Sequence, residues 1–221
     1  MNDERWQEVD DYVERTFALR DEELEGVLEA SARAGLPAIN VAANQGRFLE
    51  LLARGIGARR ILEIGTLGGY STLWLARALP EGGELVTLEF DPTHAAVARA
   101  NFAAAGRSSM VRLIEGAAGD SLAHLIDAHE APFDFIFIDA DKEGYGEYFT
   151  LSMQLAHSGT MIVADNVVRA GAVADASSED PRVQGVQRFL EAVARDERVS
   201  ATAVQTVGTK GYDGLALVLV R

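Results

Sequence analysis

The chain has 221 residues, no cysteine and a formal net charge of −14. The missing thiols exclude disulfides, thiolate zinc sites and cysteine-held iron–sulfur clusters, and so much negative charge repels a phosphate backbone and excludes DNA and RNA as partners. No apolar run reaches membrane-spanning length and the Met-Asn-Asp-Glu-Arg-Trp start does not read as a signal peptide, so a cytoplasmic location is expected.

In chain order, residues 4–34 read as two helices. Trp6, Val9, Val13 and Phe17 make one apolar stripe; Leu24, Val27, Leu28 and Ser31 make a second, with Asp21 as its cap. These helices either cover the domain or border an active site or a partner subunit. Leu36 to Val41 reads as extended chain. Asn44 is expected to cap a helix carrying Phe48, Leu51 and Leu52, which stops at Gly55 and Gly57.

The stretch from Arg60 to Thr72 is the pivot. Ile61 to Ile64 is an apolar run of buried-strand length, broken by Gly65, Gly68 and Gly69; Leu73 to Ala76 then opens a helix expected to run to Pro80. Strand, glycine turn and helix form the nucleoside- or phosphate-binding corner of an open α/β sheet, because glycine lets backbone bend tightly and a ligand approach it closely. The dinucleotide spacing wants a glycine where Leu67 stands, so the corner suits a nucleoside without a pyrophosphate. The next strand, 84–90, carries Glu89 near its tip. There it either accepts hydrogen bonds from both ribose hydroxyls or is a solvated strand end.

Asp91-Pro92 starts an alanine-rich helix that ends near Gly106. Strand 110–115 leads into Gly116-Ala117-Ala118-Gly119, and Asp120 is expected to cap the following helix to about Ala128. Strand 133–139, a helix over 144–157 and strand 160–164 follow. Segment 167–180, rich in glycine, alanine and acid, reads as a mobile loop. Asp180-Pro181 restarts a helix to about Asp196. Strands 200–207 and 215–220, joined by a short glycine-rich connection, form an antiparallel hairpin. The expectation is one domain over 1–221, with 1–35 as an N-terminal helical extension. Its fold class is α/β: a doubly wound, Rossmann-like, mostly parallel seven-stranded sheet with a C-terminal antiparallel hairpin and helices on both faces.

Ligands of such sheets bind beyond the carboxyl ends of the strands. Asp139 ends one strand and Asp165-Asn166 another, so three hard oxygen side chains would meet on one rim. That donor set suits magnesium, manganese or calcium rather than zinc. The alternative is that Asp165 and Asn166 form a turn and Asp139 caps a helix. His94, His124, His129 and His157 lack ligand spacing and read as surface or packing residues. There is no Gly-x-Ser-x-Gly elbow. Trp6 and Trp74 read as core rather than as a substrate stack.

Taken together, Leu62-Glu63-Ile64-Gly65-Thr66, Gly69-Tyr70-Ser71, Glu89, Asp139-Ala140-Asp141-Lys142, Ala164-Asp165-Asn166 and Lys210-Gly211-Tyr212-Asp213-Gly214 resemble the cation-dependent class I O-methyltransferases of the catechol and caffeoyl-CoA types. The resemblance covers the chain from about Asn40 onward. It implies S-adenosylmethionine (SAM) in the glycine corner. Val41 would lie against the cofactor, and Gly65, Tyr70 and Ser71 would hold its amino-acid end. Glu63, Thr66, Gly69 and Asp139 would be further contacts, Glu89 would hold the ribose, and Ala117 and Ala118 would lie at the adenine. Asp139, Asp165 and Asn166 would bind magnesium or a similar cation, and Lys142 would take the proton, with Asp139 as its catalytic companion. It also implies a homodimer. Animal catechol enzymes carry an aromatic wall where Asp141 stands, so their acceptor pocket does not carry over. The expected activity is methyl transfer to a phenolic hydroxyl beside a second oxygen on a small molecule, with loop 167–180 over the substrate. Alternatives are a non-catalytic SAM-binding protein and an NAD-linked oxidoreductase; Leu67 and the acidic rim argue against the latter.

Overall fold

The computed structural model describes residues 3–221; Met1 and Asn2, which open the expected N-terminal extension, lie outside the described residues. Seven strands form one sheet: β1 (Arg60–Ile64), β2 (Glu84–Glu89), β3 (Val111–Glu115), β4 (Phe133–Ile138), β5 (Ala156–Asp165), β6 (Val199–Gly208) and β7 (Gly211–Val220). Their order is β3-β2-β1-β4-β5-β7-β6. The first five are mutually parallel, while β7 runs antiparallel to both β5 and β6. The hairpin is therefore not a simple edge: its second strand inserts beside β5 and leaves its first strand outermost.

Both faces of the sheet are covered, which is why β1 and β4 read as nearly unbroken apolar runs. Ile61, Phe135 and Phe137 face α2 (Glu22–Arg33), α3 (Ala43–Gly55), α4 (Tyr70–Ala76) and α5 (Pro92–Ala104). Leu62, Ile64, Ile136 and Ile138 face α6 (Ala118–Asp127), α7 (Tyr145–Ser152) and α8 (Pro181–Arg195). Trp74 is wholly buried in the first of these cores. The chain leaves β1 for β2 on one side and reaches β4 on the other. This puts the topological switch point between β1 and β4, where open α/β sheets bind ligands. No described helix is long and apolar enough to cross a membrane.

Asp21, Asp91 and Asp180 cap α2, α5 and α8 through side-chain acceptors, the last two with proline in the first turn, as expected. Several local expectations need correction. Asn44 does not cap α3; Ala42 holds that position, and Asn44 donates instead to Asp10 Oδ1 at 2.8 Å, tying α3 to α1 (Asp3–Thr16). Asp120 does not cap α6 either. Ala117 does, and the acid sits in the first turn, where it favours the positive end of the helix dipole. Helix α4 stops at Ala76 rather than Pro80, because Ala78 and Leu79 turn their N–H groups to carbonyls three residues back, at Leu75 and Ala76. Helix α7 ends at Ser152, since β5 starts early: Ala156 already pairs with Phe133. The α1 stripe is not a core stripe. Val9 and Phe17 are 53% and 69% exposed, and only Val13 packs in part against the sheet side.

Candidate active site

A cleft of about 1180 Å³ opens at the switch point. One wall is the glycine corner. Gly65 has φ +101°, and a Cβ there would stand 2.0 Å from the Asp139 carbonyl oxygen, so both conformation and the close approach of β4 demand glycine. Gly69 likewise has φ +87°, and a Cβ would meet the Phe102 ring at 2.4 Å. Leu67 also lies in the left-handed region, at φ 50°. That strain is held by Glu89, whose Oε2 accepts from Thr66 N (3.1 Å) and Leu67 N (2.7 Å). Oε1 of Glu89 accepts from Asp91 N at 2.9 Å. Glu89 thus belongs to the cleft wall and shapes the corner at once.

His94 corrects the sequence reading of the histidines: it lines the cleft, with Nδ1 3.6 Å from Glu89 Oε1. Its place in the first turn of the helix that leaves the tip of β2 was the available signal. Gly65, Thr66, Tyr70, Ser71, Val41, Ala117 and Ala118 also stand in the wall. Glu63 and Gly69 do not. Glu63 is wholly buried behind the corner, accepting from Ser71 Oγ (2.6 Å), Thr72 Oγ1 (2.5 Å) and Thr87 Oγ1 (2.7 Å). Burial pushes its carboxyl up to about 7 against the pull of those three hydroxyls.

The acidic rim forms at the ends of β4 and β5. Asp165 accepts from Gln45 Nε2 (2.6 Å) and from Asn166 N (2.7 Å). Burial, and then the charge of Asp139, raise its carboxyl to about 7. Asn166 adopts φ 55° and lines the cleft with Asp139. Lys142, only 8% exposed, does not pair with Asp141 on the surface. Its Nζ donates to Asp139 Oδ1 at 2.9 Å and to the Tyr145 hydroxyl at 2.6 Å. That hydroxyl reaches the carbonyls of Ile138 (3.1 Å) and Asp165 (3.0 Å), which binds the two strand ends together. Burial above all, and then Asp139 and Asp165, push the Tyr145 hydroxyl well above its ordinary 10, so it stays protonated. Asp141 instead accepts from the Tyr148 hydroxyl at 2.6 Å. Tyr145, Gln45 and Tyr148 carried no recognisable spacing in the sequence.

The remaining walls come from two segments. Leu28 and Ser31 of α2 and the stretch 36–41 close one side, so the second N-terminal helix borders the site. On the other side, segment 167–180 is ordered rather than an open loop: Arg169–Ala174 winds into 3₁₀ turns. Asp213 Oδ1 accepts from Val168 N and Arg169 N, both at 2.9 Å, and Gln187 Nε2 donates to the carbonyls of Val173 and Asp175.

A doubly wound sheet with an antiparallel seventh strand, a nucleoside corner and an acid-tipped second strand together define the class of nucleoside-dependent group-transfer domains. The chain belongs to the SAM-dependent O-methyltransferase family, whose model, described as O-methyltransferase, matches residues 14–220. It is 49% identical over 221 residues to the catechol O-methyltransferase of Niastella koreensis, covering all of both chains. Among solved structures it resembles the O-methyltransferase from Bacillus cereus in complex with SAH, at 51% identity and TM-score 0.98 over the whole of both chains. It also resembles the O-methyltransferase TomG from Streptomyces achromogenes, involved in tomaymycin synthesis and solved with SAM. That match has 48% identity and TM-score 0.95 over 100% of this chain and 99% of the other. Membership of this family sets aside the NAD-linked alternative.

Proposed function

We propose that the protein methylates one hydroxyl of a catechol-like or other vicinal-oxygen phenol, with a divalent cation at Asp139, Asp165 and Asn166 and with Lys142 as base. The observation that carries this reading is the Lys142–Asp139 contact at 2.9 Å in the wall of the cleft whose other end is the nucleoside corner. The catechol O-methyltransferase name of the Niastella koreensis relative supports the acceptor class.

The donor set fits such a cation. Among the described residues no three His, Cys, Asp or Glu side chains gather, so the third donor would be an amide oxygen, a hard ligand typical of magnesium, manganese or calcium. The Asp139–Asp165 repulsion that raises the Asp165 carboxyl is what a divalent charge would relieve. When bound, the cation would take both acceptor oxygens and make the hydroxyl more acidic.

SAM would lie along the corner. Glu89 would accept from its ribose, Val41 would pack against it, Gly65, Tyr70 and Ser71 would hold its amino-acid end with Thr66 and Asp139 as further contacts, and Gly69, outside the cleft wall, would shape the turn behind them. Glu63 acts through Ser71. Ala117 and Ala118 offer the adenine backbone only. The acceptor oxygen forms its bond to the methyl carbon as the sulfur–methyl bond breaks, and the hydroxyl proton passes to Lys142 Nζ. Asp139 Oδ1 and the Tyr145 hydroxyl already stand as acceptors for the ammonium that results. Segment 167–180 covers the acceptor. A single domain, with its second helix as a wall of the cleft, in a cytoplasmic homodimer completes the reading; the exposed Tyr12 on α1 and Phe17 just after it support a paired surface.

Methyl transfer to a catechol panel tests the cation. Activity should vanish in EDTA and return with magnesium. Full turnover after exhaustive chelation would remove the metal from the reading.

A further inference from the structure

Three side-chain cations stand in the cleft wall towards the acceptor end: Lys142, Arg169 and Arg182. Two of them already have their anions. Lys142 holds Asp139, and Arg182 forks onto Asp180 through Nε (3.1 Å) and Nη2 (2.8 Å). Arg169 differs. Its ion pair with Asp213 is loose, with Oδ2 3.9 Å from Nη1, beyond hydrogen-bond reach, and among the described residues its side chain makes no hydrogen bond. Its Nε is buried with no partner, and the side chain as a whole is 23% exposed. A guanidinium cannot shed its charge, and leaving it half-buried with its N–H groups free of hydrogen bonds is costly.

The backbone shows that this placement is enforced. Arg169 and Ala170 take φ 54° and 55°, a left-handed conformation that non-glycine residues seldom adopt. Three backbone amides, from Val168, Arg169 and Gly214, converge on Asp213 Oδ1 and clamp the turn at its start; Gln187 clamps its end. The arginine is therefore held in place three residues beyond Asn166. It shares the cleft wall with Asp139, Lys142 and Asn166. The net charge of −14 makes the molecule as a whole unfavourable to anions, so a loosely paired guanidinium in the cleft wall is a local exception.

We propose that Arg169 is a specificity-determining residue that binds a carboxylate on the methyl acceptor, so that the preferred acceptor is an aromatic acid with vicinal hydroxyls rather than a neutral catechol. With Nε shielded, the Nη1–Nη2 fork is what remains to offer, and it matches the two oxygens of a carboxylate. The proposal rests on the vicinal-phenol reading above.

Two measurements test it on the whole chain and on its Arg169→Met and Arg169→Lys variants. One is calorimetry of SAH-loaded protein with 4-hydroxy-3-methoxybenzoate and with its neutral counterpart 2-methoxyphenol. The other compares kcat/KM for 3,4-dihydroxybenzoate and for catechol with magnesium present. The wild type should favour the acid by roughly 10- to 100-fold in both. Arg169→Met should bring both ratios close to one, and Arg169→Lys, which keeps the charge but loses the fork, should retain part of the preference. Equal affinity of the wild type for acid and neutral ligand would overturn the proposal. So would a loss in Arg169→Met shared equally by both ligands, which marks a structural role. If neither acceptor is methylated, the vicinal-phenol reading fails, and the calorimetric ratio still decides for or against the carboxylate site at Arg169.

Discussion

Replacing Glu63 by glutamine should change how the stability of the protein depends on pH. The carboxyl is wholly buried under the glycine corner, where burial raises it from its ordinary 4.5 to about 7. A folded-state value above the unfolded one means that the native protein binds the extra proton between these limits. The wild type therefore loses stability as pH rises from 4.5 towards 7, and the loss is complete above that window. At about 1.4 kcal/mol per unit, the gap of some 2.5 units amounts to about 3 kcal/mol in all. Roughly 1 kcal/mol of it is already lost at pH 5.5, so the part still visible between pH 5.5 and 8.5 is about 2 kcal/mol. Glutamine has no proton to lose. Its Oε1 can accept from Ser71, while its amide can donate to the Thr72 and Thr87 hydroxyls once these rotate, so the network stays satisfied. Urea unfolding of both proteins at the two pH values gives the result directly. The Glu63→Gln protein should gain about 2 kcal/mol relative to wild type between pH 5.5 and 8.5. Other titrating groups, including Asp165 and His157, cancel in that difference. Stability profiles that stay parallel within about 0.5 kcal/mol would mean that Glu63 is ionised in the fold at no cost, and the reasoning from its burial would be wrong.

Three further outcomes are expected. Glu89→Ala should weaken SAM binding roughly ten- to a hundred-fold by calorimetry, through the lost ribose contacts and the freed amides of Thr66 and Leu67; equal affinity would take Glu89 out of the site. Lys142→Met should keep SAM affinity and lower kcat by about 10²- to 10⁴-fold, with the deficit shrinking as pH rises and the acceptor ionises unaided; similar kcat values on parallel pH profiles would leave Lys142 a bystander. Light scattering at micromolar concentration should report the mass of two chains, and the mass of one would refute the homodimer.

What the sequence determined by itself is local or one-dimensional. The order of strands and helices follows from apolar runs and periodicity, and the caps at Asp21, Asp91 and Asp180 follow from chemistry confined to one helical turn. The glycine corner and the acids at the tips of the second, fourth and fifth strands could be placed because parallel strands of one sheet deliver their carboxyl ends to a common rim. Tertiary structure decided what depends on side chains distant in sequence. Lys142 is held on Asp139 because the Tyr145 hydroxyl, fastened to carbonyls of two strands, offers it a second buried acceptor. Asp165 meets Gln45 across 120 residues, and Asp213 clamps a segment that composition alone reads as loose. Glu63, in the middle of a strand motif, faces three hydroxyls inside the protein rather than the cleft. These pairings are set by the register and twist of the sheet and by which face each helix covers. A hydrogen bond reaches only about 3 Å, so a residue's neighbours in the chain cannot reveal which distant group it will meet.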